Sequence, residues 1–100
     1  MISVRNNTVL SRYELVEQES NATGGEGGET VVGIADYRID GDRIVFPHTV
    51  IDSSRRGRGL GAVLIEGVLS DVRGSGRRVV PQCWFVAEYL ELHPEYADLQ

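Results

Sequence analysis

Ser54–Gly61 reads SRRGRGLG, and an apolar run, AVLIEGVL, follows at once over Ala62–Leu69. Leu60, Leu64, Val68 and Val72 recur every four residues, and Val63, Ile65 and Leu69 widen the stripe. That period predicts a helix from about Leu60 to Arg73, stopped by the GSG of residues 74–76. Glycines just before a helix leave backbone N–H groups uncovered. The first helical turn adds unpaired N–H groups and a partial positive charge. Together they form a seat for an anion, phosphate above all.

The chain outside this stretch supplies strands. SRYELVEQ (11–18) alternates loosely and reads as a first strand. SNATGGEGGE (20–29) has too little apolar content to bury anything and reads as a mobile glycine-rich loop. TVVGIADYRI (30–39) is a second strand, with Gly33 marking a bulge or a close backbone approach. DGD (40–42) is a turn, so RIVFPHTVID (43–52) returns antiparallel as a third strand. Pro47 cannot donate to a ladder, so that strand is edge-like or interrupted there. RRVVPQC (77–83) is a fourth strand, parallel to the third because a helix joins them. WFVAEYLEL is a last helix, with Val86, Tyr89, Leu90 and His93 on one face and Pro94 setting its end.

One hundred residues hold one domain, 1–100. The expected fold is α/β (α+β): a compact mixed sheet of about four strands with two main helices. No apolar run is long enough to cross a bilayer, and MISVRNNTVL has no signal-peptide pattern. A single cysteine, Cys83, forbids an internal disulfide and fits a reducing, cytoplasmic setting. A net charge of -5 argues against nucleic-acid or acidic-membrane partners. All ten basic residues are arginine, so an anion here meets arginine forks and backbone N–H groups, with no lysine.

Three phosphate-loop patterns compete for SRRGRGLG. The Walker loop needs a lysine the chain lacks, and the dinucleotide fingerprint has a different glycine spacing. The pattern [QR]xxGxG between strand and helix fits Arg56, Gly59 and Gly61. Two other readings stay open: a tight connection solvated by arginines, and an arginine-glycine nucleic-acid segment, which the net charge and the lack of adjacent aromatics disfavour. No HxH, CxxC or His/carboxylate spacing suggests a metal.

FPHTVIDSSRRGRGLGAVLIEGVL, followed by RRVVPQCWFVAEYLELHPEYADL, resembles the small, single-domain Yjdj-type branch of the GNAT N-acetyltransferases. The residues that carry the resemblance are the [QR]xxGxG signal, then Pro81, Cys83, Phe85, Val86, Tyr89, His93, Pro94 and Tyr96. It extends over roughly residues 30–99. It implies acetyl-coenzyme A as cofactor and transfer of its acetyl group to an amine, on a small molecule or a protein, by a monomer or weak dimer. Its pyrophosphate would lie on the N–H groups of Arg56, Gly57, Arg58, Gly59, Leu60, Gly61 and Ala62. The pantetheine arm would run beside Val50 and Ile51, and strands three and four, splayed apart, would admit the acetyl end between them, near His48 and Cys83. Tyr89 would protonate the leaving thiolate, Cys83 would accept the acetyl group or line the site, and His48 would serve as base. His93 would cap its helix or touch the coenzyme. Each has a plainer alternative: Tyr89 and Cys83 as core packing, His48 as a hydrogen-bonded wall. The acid nearest strand three is Asp52, so no standard glutamate base is legible there. A coenzyme A-binding module without transferase activity is the alternative function.

Overall fold

The structure is a computed structural model describing residues 2–18, 28–55 and 57–100. The expected glycine-rich loop lies outside the described residues except at its end, Gly28 and Glu29. Five strands form one sheet in sequence order: β1 (Ile2–Asn7), β2 (Arg12–Gln18), β3 (Glu29–Asp40), β4 (Arg43–Ile51) and β5 (Arg78–Val80). Helix α1 (Leu60–Ser75) connects β4 to β5, and α2 (Trp84–Leu92) follows β5. Two 3-10 turns, Ser53–Arg55 and Pro94–Leu99, complete the order. The first four strands pair antiparallel and β5 runs parallel to β4.

The expectation of about four strands is corrected to five. Ile2 and Val4 are the only apolar residues of β1, and the rest is polar or asparagine. Two points of alternation are a weak signal. Pairing with β2 and packing of Ile2 and Val4 on the core hold the strand in place. The terminal 3-10 turn was also illegible, although Leu99 within it is buried.

Leu60, Leu64, Ile65, Val68, Leu69 and Val72 of α1 bury against the sheet, together with Leu15, Val32, Ala35, Ile44 and Phe46. Val63, expected in the stripe, is exposed, because at 3.6 residues per turn it points away from the arc that Leu60, Leu64, Ile65, Val68, Leu69 and Val72 bury. Gly76 ends α1 in the left-handed region, at φ 77°.

Two irregularities shape the sheet. Leu15 pairs with Gly33 and Val16 with Val31, so Val32 is an extra residue beside Gly33. A Cβ on Gly33 would lie 2.6 Å from Ile51 Cδ1, which is the close approach the glycine permits. In β4, Asp36 pairs with His48 but Arg38 with Val45, so Phe46 and Pro47 together face Tyr37. Pro47, lacking an N–H, thus sits where the ladder is broken. The β4–β5 pairing reaches only Val45 and Val80. Beyond it the two parallel strands part.

The bulge at Pro47 also resets which side chains face the helices. Ile44 and Phe46 enter the core before it; Thr49 and Ile51 point to that side after it. An unbroken alternation from Phe46 would have put His48 and Val50 there instead.

Candidate active site

A cleft of about 560 Å³ opens where β4 and β5 part. Its walls come from three places. Thr49 and Ile51 belong to β4; Arg55, Gly57, Gly59, Leu60, Gly61 and Ala62 form the loop and first turn of α1; Cys83, Trp84 and Phe85 begin α2.

The loop wall is built from local hydrogen bonds. The Asp52 N–H donates to the Val32 carbonyl at 2.8 Å, which anchors the loop to β3. Asp52 Oδ1 accepts from the Ser54 N–H and from Ser54 Oγ, both at 2.9 Å. Those two bonds, the backbone one first, hold the Asp52 carboxyl below the usual carboxylate range. The acid nearest the third expected strand is therefore occupied in shaping the turn. Arg55 is likewise engaged: its Nε donates to Glu17 Oε2 at 3.1 Å, tying the loop to β2. Arg58 is exposed, and Arg56 lies outside the described residues.

Gly57 and Gly59 take φ of 84° and 71°, in the region that L side chains disfavour. Gly59 is the N-cap of α1 and has no side chain to bond the first-turn N–H groups. The Val63 N–H already reaches the Gly59 carbonyl at 3.4 Å, so the donors without helical partners precede it. No Cβ at Gly57 or Gly59 crowds the space in front of them. Gly61 differs: a Cβ there would lie 2.6 Å from Phe85 Cζ, so its bare Cα lets the starts of α1 and α2 close on each other.

The α2 wall is fixed by one hydrogen bond across the gap. The Cys83 N–H donates to the Phe46 carbonyl at 2.8 Å. Cys83 is half-buried and is the N-cap of α2, in extended conformation.

The remaining expected site residues fall elsewhere. His48 is exposed and absent from the cleft lining; it alternates with Thr49, so its side chain leaves β4 on the opposite side. Val50 shares that opposite side, where it lines a hollow with Val31, Gly33 and Ile34. Tyr89 is buried in the core, its ring stacked on His93 with centroids 3.8 Å apart. Burial raises its hydroxyl pKa, and the charge of Glu66 adds to the effect. His93 Nδ1 lies 2.8 Å from the Tyr89 carbonyl, so it donates there and closes the end of α2. Thr49, Trp84 and Phe85 line the cleft but did not stand out in the sequence as ligand contacts. Pro47 was the available signal for Thr49, since a bulge there moves the alternation by one.

Among the described residues no group of three or more His, Cys, Asp or Glu is placed to hold a metal ion. No helix is long and apolar enough to cross a membrane.

A family model for the GCN5-related N-acetyl-transferases matches residues 12–99. Among curated protein sequences none matches the chain. The NMR solution structure of a GCN5-like protein from Staphylococcus aureus superimposes with a TM-score of 0.67, covering 97% of this chain and 85% of that one. The two are 18% identical, so that likeness speaks for the fold alone. The family model, in contrast, runs from β2 through the last 3-10 turn and takes in every wall of the cleft. The chain therefore belongs to the GCN5-related N-acetyltransferase family.

Proposed function

We propose that this protein is an acetyl-coenzyme A-dependent N-acetyltransferase whose coenzyme lies in the cleft between β4 and β5. One observation carries the reading: uncapped N–H groups at the start of α1 open into the same cleft as Cys83 at the start of α2. When bound, the coenzyme supplies an activated acetyl thioester.

The residues present fit that group. The glycine cradle leaves space beside unpaired donors, as a pyrophosphate requires. The N–H groups of Gly57, Gly59, Leu60, Gly61 and Ala62 would hold it, with the macrodipole of α1 behind them. Ile51 and Phe85 provide the apolar walls along which an elongated arm can lie. Cys83 supplies the one thiol among the described lining residues. The acceptor is an amine, on a small molecule or a protein. Few elements beyond the cleft walls are available to enclose it, so it would approach from solvent.

A second reading is favoured by the positions of His48 and Tyr89, neither of which lines the cleft. A coenzyme A-binding module without turnover would keep the cradle and need neither residue.

Release of free coenzyme A thiol from acetyl-coenzyme A, measured against a panel of primary amines and amine-bearing peptides, separates the two. Amine-dependent thiol release supports the transferase. Binding of acetyl-coenzyme A without thiol release for any amine supports the binding module. Intact-mass measurement then tests Cys83: a gain of one acetyl group that disappears in Cys83→Ala assigns the acceptor thiol, and an unchanged rate in that variant removes Cys83 from the chemistry.

A further inference from the structure

A second hollow, of about 330 Å³, lies at the other end of the sheet, between the β1–β2 turn, the β3–β4 hairpin and the end of α1. Tyr13, Tyr37, Ile44, Asp71, Ser75 and Arg77 are among its walls. Asp71 and Ser75 stand about 17 and 23 Å along α1 from Leu60 at helical rise, so this hollow is separate from the cleft between β4 and β5.

The arginine in its wall has no work to do in the fold. Arg77 is half-buried, and its guanidinium makes no hydrogen bond or ion pair among the described residues. The other half-buried arginines among those residues, Arg12 and Arg55, pair with Glu14 and Glu17. The Nε of Arg77 is sealed without a partner, whereas its two Nη groups, also unpaired, remain open. Partly desolvating an unpaired guanidinium costs the folded chain stability. Methionine would fill the same space without that cost.

An opposite charge shares the hollow and leaves Arg77 unneutralised. Asp71 accepts the Tyr13 hydroxyl on Oδ2 at 2.5 Å, and its Oδ1 has no partner. Asp71 and Arg77 form no ion pair, although both line the hollow. Burial and Asp71 raise the Tyr13 hydroxyl pKa and the charge of Arg77 opposes them, so the guanidinium lies near that hydroxyl. The Tyr37 hydroxyl donates to Asn6 Oδ1 at 2.8 Å, and the two tyrosine rings lie 5.4 Å apart, which fixes an aromatic wall between the charges and β1.

A simple anion in this space would meet the charge of Asp71, and a simple cation that of Arg77. A small zwitterion satisfies both. Its carboxylate matches the guanidinium fork, and its ammonium matches the free Asp71 oxygen. The volume is at the lower end of small-molecule sites, about 300–1,000 Å³.

We infer that this hollow binds a free α-amino acid, with its carboxylate on the Arg77 Nη groups and its ammonium on Asp71 Oδ1. The site is independent of the coenzyme reading, and nothing bound there reaches the cleft.

The test is saturation-transfer NMR, with thermal melts, of the full chain and each of the standard L-amino acids at millimolar concentration. At least one binds the wild type and raises its melting temperature. Its α-amide and N-acetyl forms, each lacking one charge, bind more than about tenfold more weakly. Arg77→Met and Asp71→Asn lose affinity by a similar factor. Arg77→Met melts no lower than the wild type, because the charge removed had no partner, and Asp71→Asn keeps an acceptor for Tyr13. Absence of binding by every amino acid overturns the inference. So does binding that survives either substitution, or equal binding of the amide or N-acetyl form. An Arg77→Met chain that fails to fold overturns it too, since the guanidinium would then be serving the fold.

Discussion

The ring of Phe85 lies against the bare Cα of Gly61, so closely that a Cβ at residue 61 would come within 2.6 Å of the ring tip. This contact brings the first turns of α1 and α2 together and sets the width of the cleft between them. Gly61→Ala should therefore cost stability, even though alanine is the better helix former. The helix gain is about 0.5–1 kcal/mol, and the overpacking about 1–3 kcal/mol. The expected net loss is about 1 kcal/mol in denaturant unfolding. Combining it with Phe85→Leu should recover part of that loss, because the ring that clashes is gone. Strict additivity of the two losses would show that the contact is not the cause.

Gly59 offers a cleaner separation of binding from folding. At φ 71° it accepts aspartate better than a β-branched residue. Gly59→Asp should lose no more than about 1–2 kcal/mol of stability. It also places a carboxylate where a phosphate would sit. Coenzyme A affinity should fall by more than about tenfold, measured by calorimetry beside a thermal melt of the same variant. Unchanged affinity in a folded variant would remove the cradle from the site.

Glu14 gives the fold an acid-sensitive element away from the cleft. Its carboxylate is buried and accepts from Arg5 Nε, Arg12 Nε and Asn7 Nδ2 at 2.9, 2.9 and 3.2 Å. These bonds, that from Arg5 foremost, lower its pKa below the ordinary value. A depressed folded-state pKa contributes stability above the unfolded-state value and loses it as pH falls through the folded one. Glu14→Gln should cost about 1–2 kcal/mol near pH 7, and the difference from wild type should shrink below pH 4.5, the ordinary value for this carboxyl. Urea midpoints across pH 3–7 measure this, and a pH-independent difference would contradict it.

Tyr13 has the opposite sign. Its hydroxyl donates to Asp71 Oδ2 at 2.5 Å, linking β2 to α1. Burial raises its pKa, and the Asp71 hydrogen bond raises it further. A raised folded-state pKa gives stability that is fully present below the unfolded value of 10.0 and is lost above it. Tyr13→Phe should lower stability by about 1–2 kcal/mol at pH 7 and flatten the alkaline decline above pH 10. Ultraviolet titration of the phenolates gives an independent readout, in which one tyrosine of the wild type ionises last.

Much of this fold was legible because its signals were local. The four-residue period of Leu60, Leu64, Val68 and Val72 made α1 readable, and Pro94 placed the end of α2. DGD gave a hairpin, and the helix after the third expected strand gave a parallel neighbour. What escaped depended on pairing. β1 has only Ile2 and Val4 to announce it and is held by a partner strand. The cleft lining escaped in part for a related reason. Pro47 pointed to an interruption, but not to how the alternation resumes after it. With the register advanced by one residue, Thr49 and Ile51 face the cleft, and His48 does not. The glycine turn ahead of α1, whose residues adjoin in sequence, was readable directly.

The central claim is that SRRGRGLG and the opening of β4 and β5 form a coenzyme site. Calorimetric titration of the purified protein with acetyl-coenzyme A, beside coenzyme A and ATP, tests it most directly. The expected result is binding of both coenzymes at about micromolar Kd, weaker binding of ATP, and a more than about tenfold loss of coenzyme affinity in Gly59→Asp. No heat of binding for either coenzyme with folded wild-type protein would contradict the claim, and the glycines would then be only a tight turn between a strand and a helix.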